Sequence, residues 1–205
     1  MSDPTLKYAN SSTIEADPWP RICGILAIVC GASMLLIFQI PILYRMLTEG
    51  GLAGWNMIEM LLKLPPYLLR DILLILGGVA LIRYKRSGYF IVIMLLVYYW
   101  AANFLYIFYS AAYYGSSLGI IQQIIWMLGI DFPPRLQNLP SLLMNVSSIL
   151  WGVFLLRESV RSSLKVTSGH TMGAVGLGLG LALYSLATWI IWEAIKPDPL
   201  VDYQF

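Results

Sequence analysis

The chain has 205 residues, of which 59% are hydrophobic and 12% are charged, and its mean hydropathy is +0.72. Soluble domains carry about 25% charged residues. A soluble protein of this size cannot bury so much apolar sequence, because much of its surface must face water. The net charge of +2 is too small to indicate a nucleic-acid partner. These quantities favour an integral membrane protein, whose first partner is the lipid bilayer.

The charges are clustered, and long charge-free runs lie between the clusters. A helix needs roughly 20 apolar residues to cross about 30 Å of hydrocarbon, and every run reaches that length. We therefore predict an all-α integral membrane protein with about five transmembrane helices plus short interfacial helices. The charge-free runs cover residues 22–44, 87–130, 136–156 and 166–192.

A polar N-terminal segment, residues 1–20, precedes the first predicted helix, which spans about residues 21–45. Pro41 near its end could kink it. In residues 46–64 the apolar side chains recur at helical spacing with charged ones between them. This pattern predicts a short amphipathic helix on the membrane surface.

The second predicted helix, about residues 65–83, begins at the pair Pro65-Pro66 and ends at a basic turn. Its uncharged part, Ile72–Ile82, has only 11 residues. It can cross a bilayer only if the preceding turn, with Arg70 and Asp71, enters the outer leaflet.

Three more membrane helices are predicted, over about residues 88–113, 139–157 and 172–195, followed by a C-terminal tail of residues 196–205. Between the third and fourth helices, Leu118–Ile130 is too short to cross again. It is predicted to be interfacial or re-entrant.

The loops after the second and fourth predicted helices are basic. The positive-inside rule places both loops in the cytoplasm. With five helices the N-terminus is then cytoplasmic and the C-terminus outside. A sixth span would leave one basic loop outside, so parity favours five. The basic residues are Arg83, Lys85, Arg86, Arg157, Arg161 and Lys165.

Arg70 and Asp71 are the strongest candidates for chemistry, because charges inside a membrane are costly and often functional. Neighbouring residues on a helix point about 100° apart, so these two need not pair with each other. One interpretation is structural: Arg70 extends to the outer interface and Asp71 caps or pairs nearby. The other is a proton or substrate site in the outer leaflet.

A polar stripe on the third predicted helix is the next candidate. Tyr99, Asn103 and Tyr106 share one helix face, and Asn145 lies on a similar face of the fourth helix. Such side chains hydrogen-bond between membrane helices. The stripe predicts either a packed interface or a cavity for a lipid, quinone or polar substrate.

Glycines follow one another at the start of the fifth predicted helix: Gly173, Gly176, Gly178 and Gly180. Gly176-x-x-x-Gly180 and Gly178-x-x-x-Ala182 are small-xxx-small pairs, which let two helix backbones approach closely. The partner helix belongs either to this chain or to another.

Metal and cofactor ligands are scarce. His170 is the single histidine, and it lies in a loop, where it cannot serve as an axial haem ligand in the membrane. Cys23 and Cys30 lie seven residues apart on one helix, about 10 Å from each other, which is too far for a disulfide. The sequence predicts no metal, no cofactor, no catalytic residues and no enzyme activity.

Two segments of the chain carry a resemblance to known proteins. One is Arg21-Ile22-Cys23-Gly24-Ile25-Leu26-Ala27-Ile28, and the other is Leu76-Gly77-Gly78-Val79-Ala80-Leu81-Ile82-Arg83 with Lys85-Arg86-Ser87-Gly88-Tyr89. They are similar to the helix-turn-helix of small uncharacterised bacterial polytopic membrane proteins. The similarity covers the first four predicted helices. It implies a bacterial inner membrane and no known activity.

These patterns support one main function and two alternatives. The main hypothesis is a non-catalytic accessory or structural subunit that packs against other membrane proteins or against copies of itself. The first alternative is a small transporter or channel that uses Arg70, Asp71 and the Tyr/Asn face. The second is a membrane enzyme that acts on lipid or quinone.

Overall fold

The computed structural model describes the backbone of residues 17–41, 43–44, 55–114 and 139–195, and the side chains of 17–41, 43–44, 67–109, 142–192 and 194. All regular structure in these residues is helical. Among the described residues, three stretches are long and apolar enough to cross a membrane, and Leu142–Leu155 is a shorter apolar helix. The three long stretches are Trp19–Gln39, Arg86–Tyr109 and Ser168–Trp192. The predicted all-helical class is therefore confirmed.

The first helix, α1, covers Trp19–Met34 and continues directly into a π-helical segment, Leu35–Gln39. The Asp17 carboxylate accepts a hydrogen bond from the Trp19 backbone N–H at 3.1 Å. The widened turn ends two residues before Pro41, which has no N–H to donate to the carbonyl four residues earlier. The irregularity that the sequence assigns to Pro41 thus takes the form of a π turn upstream of it.

The second helix, α2, covers Trp55–Ile82, a length of 28 residues. It runs through Pro65 and Pro66 without a break, whereas the sequence predicts a surface helix up to residue 64 and a new helix from Pro65. Each proline removes one amide donor, but the residues on both sides keep helical conformation. Arg70 and Asp71 consequently lie near the middle of a long helix and not one turn inside its start.

The remaining helices are α3 (Arg86–Tyr114), α4 (Leu139–Leu155), α5 (Glu158–Ser163) and α6 (Ser168–Ile195). Their bounds lie within a few residues of the predicted ones, apart from the short α5, which the sequence analysis does not predict. Residues 1–16, the segment Leu118–Ile130 and the tail from residue 196 onward lie outside the described residues, so the predictions made for them stay predictions.

Two tight turns connect the helices, and they have the same geometry. Tyr84 and Lys165 both adopt a left-handed φ of 52°. In each turn the next residue donates its N–H five residues back, from Lys85 to Ala80 and from Val166 to Arg161, at 2.8 Å. This is the Schellman arrangement that ends a helix. It fixes how α2 leads into α3 and how α5 leads into α6.

Helices α1 and α2 pack backbone against backbone in the described bundle. A Cβ atom on Gly24 would lie 2.6 Å from the Gly78 carbonyl oxygen, and one on Gly31 would lie 2.8 Å from the Asp71 carbonyl oxygen. The two backbones therefore touch directly. Helix α4 joins α1 from the other side, where the fully buried Trp151 donates its indole N–H to the Cys23 carbonyl at 3.2 Å.

Candidate functional site

An ion pair between neighbouring residues lies at the centre of α2. Arg70 Nε donates to Asp71 Oδ1 at 2.7 Å, and Arg70 Nη2 forms an ion pair with the same oxygen, also at 2.7 Å. The Asp71 side chain is 0% exposed and that of Arg70 is 14% exposed. The long Arg70 side chain bends toward Asp71 and pairs with it. The two residues therefore form an ion pair although neighbouring side chains on a helix point about 100° apart.

Gln39 completes the polar contacts of this carboxylate. Its Nε2 lies 3.4 Å from Asp71 Oδ2, at the long end of the hydrogen-bond range. The residue is buried and closes the π-helical segment that follows α1. Gln39 is not among the predicted site residues, although it is the single amide side chain in the charge-free run 22–44. An isolated amide in such a run is a usable signal for a buried polar partner.

The aromatic ring of Tyr67 covers the guanidinium group. The Arg70 Cζ atom lies 5.3 Å from the ring centroid, within the range of a cation–π interaction. Because Tyr67 precedes Arg70 by three residues, the two side chains share one face of α2. Tyr67 of α2 therefore contacts Arg70, and Gln39, which follows α1, contacts Asp71.

The side chains of the predicted polar stripe on α3 contact α4, α6 and the backbone of α3 itself. Tyr99 Oη donates to Asn145 Oδ1 of α4 at 2.7 Å, as the packed-interface interpretation expects. Asn103 instead donates to the Tyr99 carbonyl of its own helix at 2.7 Å. Tyr106 contacts the Trp189 ring of α6 edge-on, with the ring centroids 5.1 Å apart. Only Tyr99 thus joins α3 to α4 among the three predicted stripe residues.

Further hydrogen bonds link α4 to its neighbours around this contact. The Trp100 indole N–H donates to Ser148 Oγ at 3.1 Å, and Ser148 in turn donates to the Asn145 carbonyl at 2.7 Å. On the α1 side the Cys30 thiol donates to Ser147 Oγ at 3.2 Å. The polar side chains where α3 and α1 meet α4 therefore bind one another.

The glycines of α6 point in two directions. Gly178 faces α3, where an added Cβ would lie 2.6 Å from the Met94 carbonyl oxygen. Ala174 and Ala182, one turn away on either side, are both fully buried. The pair Gly178-x-x-x-Ala182 is thus used within the chain.

The other glycine pair has no neighbour in the described bundle. An added Cβ on Gly176 or on Gly180 would meet nothing within 4 Å among the described residues. Gly173 lies between the two cases, since its Cβ would be 3.6 Å from the Phe90 ring. We define the open glycine face as the side of α6 that carries Gly176 and Gly180.

His170 has a structural role at the start of α6. Its Nδ1 accepts a hydrogen bond from the Thr167 backbone N–H at 3.3 Å and lies 2.6 Å from the Thr167 hydroxyl. Within the described residues no group of three or more His, Cys, Asp or Glu side chains could hold a metal ion. Comparison with known proteins finds no matching family model, curated protein or solved structure.

Proposed function

We propose that the chain is a multi-pass membrane protein with five spans. The spans are α1 with its π-helical extension, α2, α3, α4 and α6. Large apolar side chains that face outward support this assignment, because a bilayer covers them. Leu36 is 64% exposed, Phe108 70% and Leu183 58%. The bacterial inner membrane, a cytoplasmic N-terminus and an external C-terminus belong to the same proposal.

Within that membrane we propose a non-catalytic accessory or structural role, in which the open glycine face packs against a helix of another subunit or a second copy. The observation that carries the proposal is the division of the α6 glycines. The pair Gly178 and Ala182 packs against α3. An added Cβ on Gly176 or Gly180 of the other pair would meet no described residue within 4 Å. Gly-x-x-x-Gly surfaces of this kind allow close helix association in membranes.

Cysteine cross-linking in native membranes tests this role. The native Cys23 and Cys30 are buried, with at most 1% of either side chain exposed, so they contribute little background. Gly176→Cys should form a cross-linked species, and Leu181→Cys, which is exposed about 100° around α6 from Gly180, should not. Equal cross-linking at the two positions, or none at either, would remove the support for the proposal.

A bulky side chain tests the same face without cross-linking. Gly180→Leu should abolish co-purification of the partner in mild detergent, because the leucine keeps the helix backbones apart. It should leave the chain folded, since nothing described lies within 4 Å. Leu181→Phe is the matched control. A chain that runs as a monodisperse monomer with no co-purifying protein contradicts the proposal.

The second candidate function is a small transporter or channel. The buried Arg70–Asp71 pair beside a π-helical segment favours it, because π turns and intramembrane charges both occur at functional sites. Unchanged flux or growth in an Arg70→Ala strain would rule it out. We do not propose the enzyme alternative, because the polar groups at the contact between α3 and α4 bind one another.

A further inference from the structure

Three segments of the chain meet at one end of the bundle. The Tyr84 hydroxyl donates to the Asp17 backbone oxygen at 3.1 Å, and the Ser159 hydroxyl donates to the Asp17 carboxylate at 2.9 Å. The start of α1, the turn between α2 and α3, and the connection from α4 to α6 therefore lie together. We call this surface the basic end and define it as residues 17–21, 83–86 and 157–171.

The charge of the basic end is unbalanced. It holds seven Lys and Arg residues and two carboxylates, those of Asp17 and Glu158. Asp17 binds the Trp19 N–H and the Ser159 hydroxyl. In the part of the chain that the structure describes, none of the seven cations forms an ion pair. Their charge is therefore left for an anion from outside these segments.

Aromatic rings hold two of the arginines in place. The Arg157 guanidinium carbon lies 4.6 Å from the Phe154 ring centroid, and Phe154 stacks on Trp19 with centroids 3.4 Å apart. Arg21 lies over the Tyr84 ring at 5.3 Å. A tryptophan beside arginines suits the level of lipid headgroups, where Trp and Tyr are enriched. Arg21 and Arg157 are thus held in position by aromatic rings in the absence of a ligand.

Arg161 supplies a donor that lacks an acceptor. Its Nε is buried and has no hydrogen-bond partner among the described residues. A buried donor without an acceptor is costly, and a phosphate oxygen is a favourable partner for a guanidinium group. Lys165 lies one turn further along, exposed at its left-handed position. Arg161 and Lys165 are thus two neighbouring cations of the basic end.

We propose that the basic end binds the phosphodiester group of anionic phospholipids, with Arg161 and Lys165 as the principal contacts. Exposed apolar side chains directly adjoin the charges, at Ile22 after Arg21 and at Leu156 before Arg157. They provide a surface for acyl chains, which favours a lipid over a soluble phosphate. The inference uses the membrane location proposed above and is independent of the partner of α6.

The test measures lipid binding by the full chain purified in mild detergent. Phosphatidylglycerol should remain bound in native mass spectrometry and should raise the unfolding temperature, whereas phosphatidylcholine should do neither. Arg161→Gln and Lys165→Asn should each weaken phosphatidylglycerol binding about fivefold, as expected for one cation near an anionic headgroup. Arg135→Gln, which removes a cation outside the described residues in a predicted external loop, is the charge-matched control.

Three results would overturn the proposal. They are equal affinity for the two lipids, variants that bind like the unchanged protein, and a loss in Arg135→Gln as large as in the two test variants. Displacement by inorganic phosphate at equal concentration would identify a soluble-anion site instead. Lys165→Asn keeps the test decisive if Arg161→Gln does not fold, because asparagine tolerates the left-handed φ. Cross-linking at Gly176 reports separately on the α6 proposal.

Discussion

The Asp71 carboxylate is fully removed from solvent and therefore needs polar partners within the described bundle. Its partners are one arginine on the same helix and one amide on the π-helical segment after α1. The sequence identifies Arg70 and Asp71 as unusual but does not reveal how they are satisfied. Gln39 enters the site only because a π turn and a glycine-lined helix contact bring it there, and neither follows from local periodicity.

Asp71→Asn should destabilise the protein by about 3–5 kcal/mol, because it leaves the Arg70 charge, whose side chain is only 14% exposed, without its counter-charge. The unfolding temperature of the purified chain in detergent measures the loss. The double variant Arg70→Met, Asp71→Leu removes both charges and should recover most of the stability. A single variant as stable as the unchanged protein would show that the pair contributes little.

Tyr99→Phe should cost about 0.6–2 kcal/mol, since it removes the 2.7 Å hydrogen bond to Asn145. Tyr106→Phe is the matched control, because its contact with Trp189 is made by the ring. A double-mutant cycle with Asn145→Ala, read by chemical unfolding in detergent, isolates the pair. A coupling energy near zero, or equal effects of the two Tyr→Phe changes, would contradict this assignment.

At the scale of the elements, four of the predicted membrane helices match the structure within a few residues, because long charge-free runs leave little choice of conformation. The start of α2 does not match. Prolines usually begin or break a helix, and the pair at residues 65 and 66 therefore predicts that one helix ends before Pro65. The helical residues on both sides of the pair override that local preference, which single-residue rules cannot anticipate.

Glycine packing shows the same limit. The sequence points to the glycines of α6, and one of their two pairs packs within the chain. Gly24 and Gly31 of α1, however, also pack closely against α2. Their seven-residue spacing was visible, but which glycine meets which helix depends on the arrangement of the whole bundle.

Gly78→Ala should therefore destabilise the isolated chain by about 1–3 kcal/mol, because the new methyl group would lie 2.5 Å from the Gly24 carbonyl oxygen and the helices must move apart. Gly180→Ala adds the same methyl group to an open face. It should be neutral or stabilising by up to about 1 kcal/mol through helix propensity. Unfolding in detergent compares the two, and equal losses would refute the assigned helix contacts.

At the scale of the whole molecule, the described helices form a bundle with a basic end, a charge pair in its middle and an open glycine face on α6, and we propose that five of these helices cross a membrane. Two basic loops distant in sequence predict a common side of the membrane. The hydrogen bonds of Tyr84 and Ser159 to Asp17 support that arrangement independently, because they bring both loops to the start of α1.

Sided labelling of single cysteines tests the five-span topology most directly. The native cysteines are buried, so a membrane-impermeant maleimide should report on introduced positions alone. Ser162→Cys, at the exposed basic end, should be labelled only in inside-out vesicles. Gln204→Cys, in the predicted external tail, should be labelled only in intact cells or right-side-out vesicles. Labelling of both positions from the same side would contradict the five-span bundle.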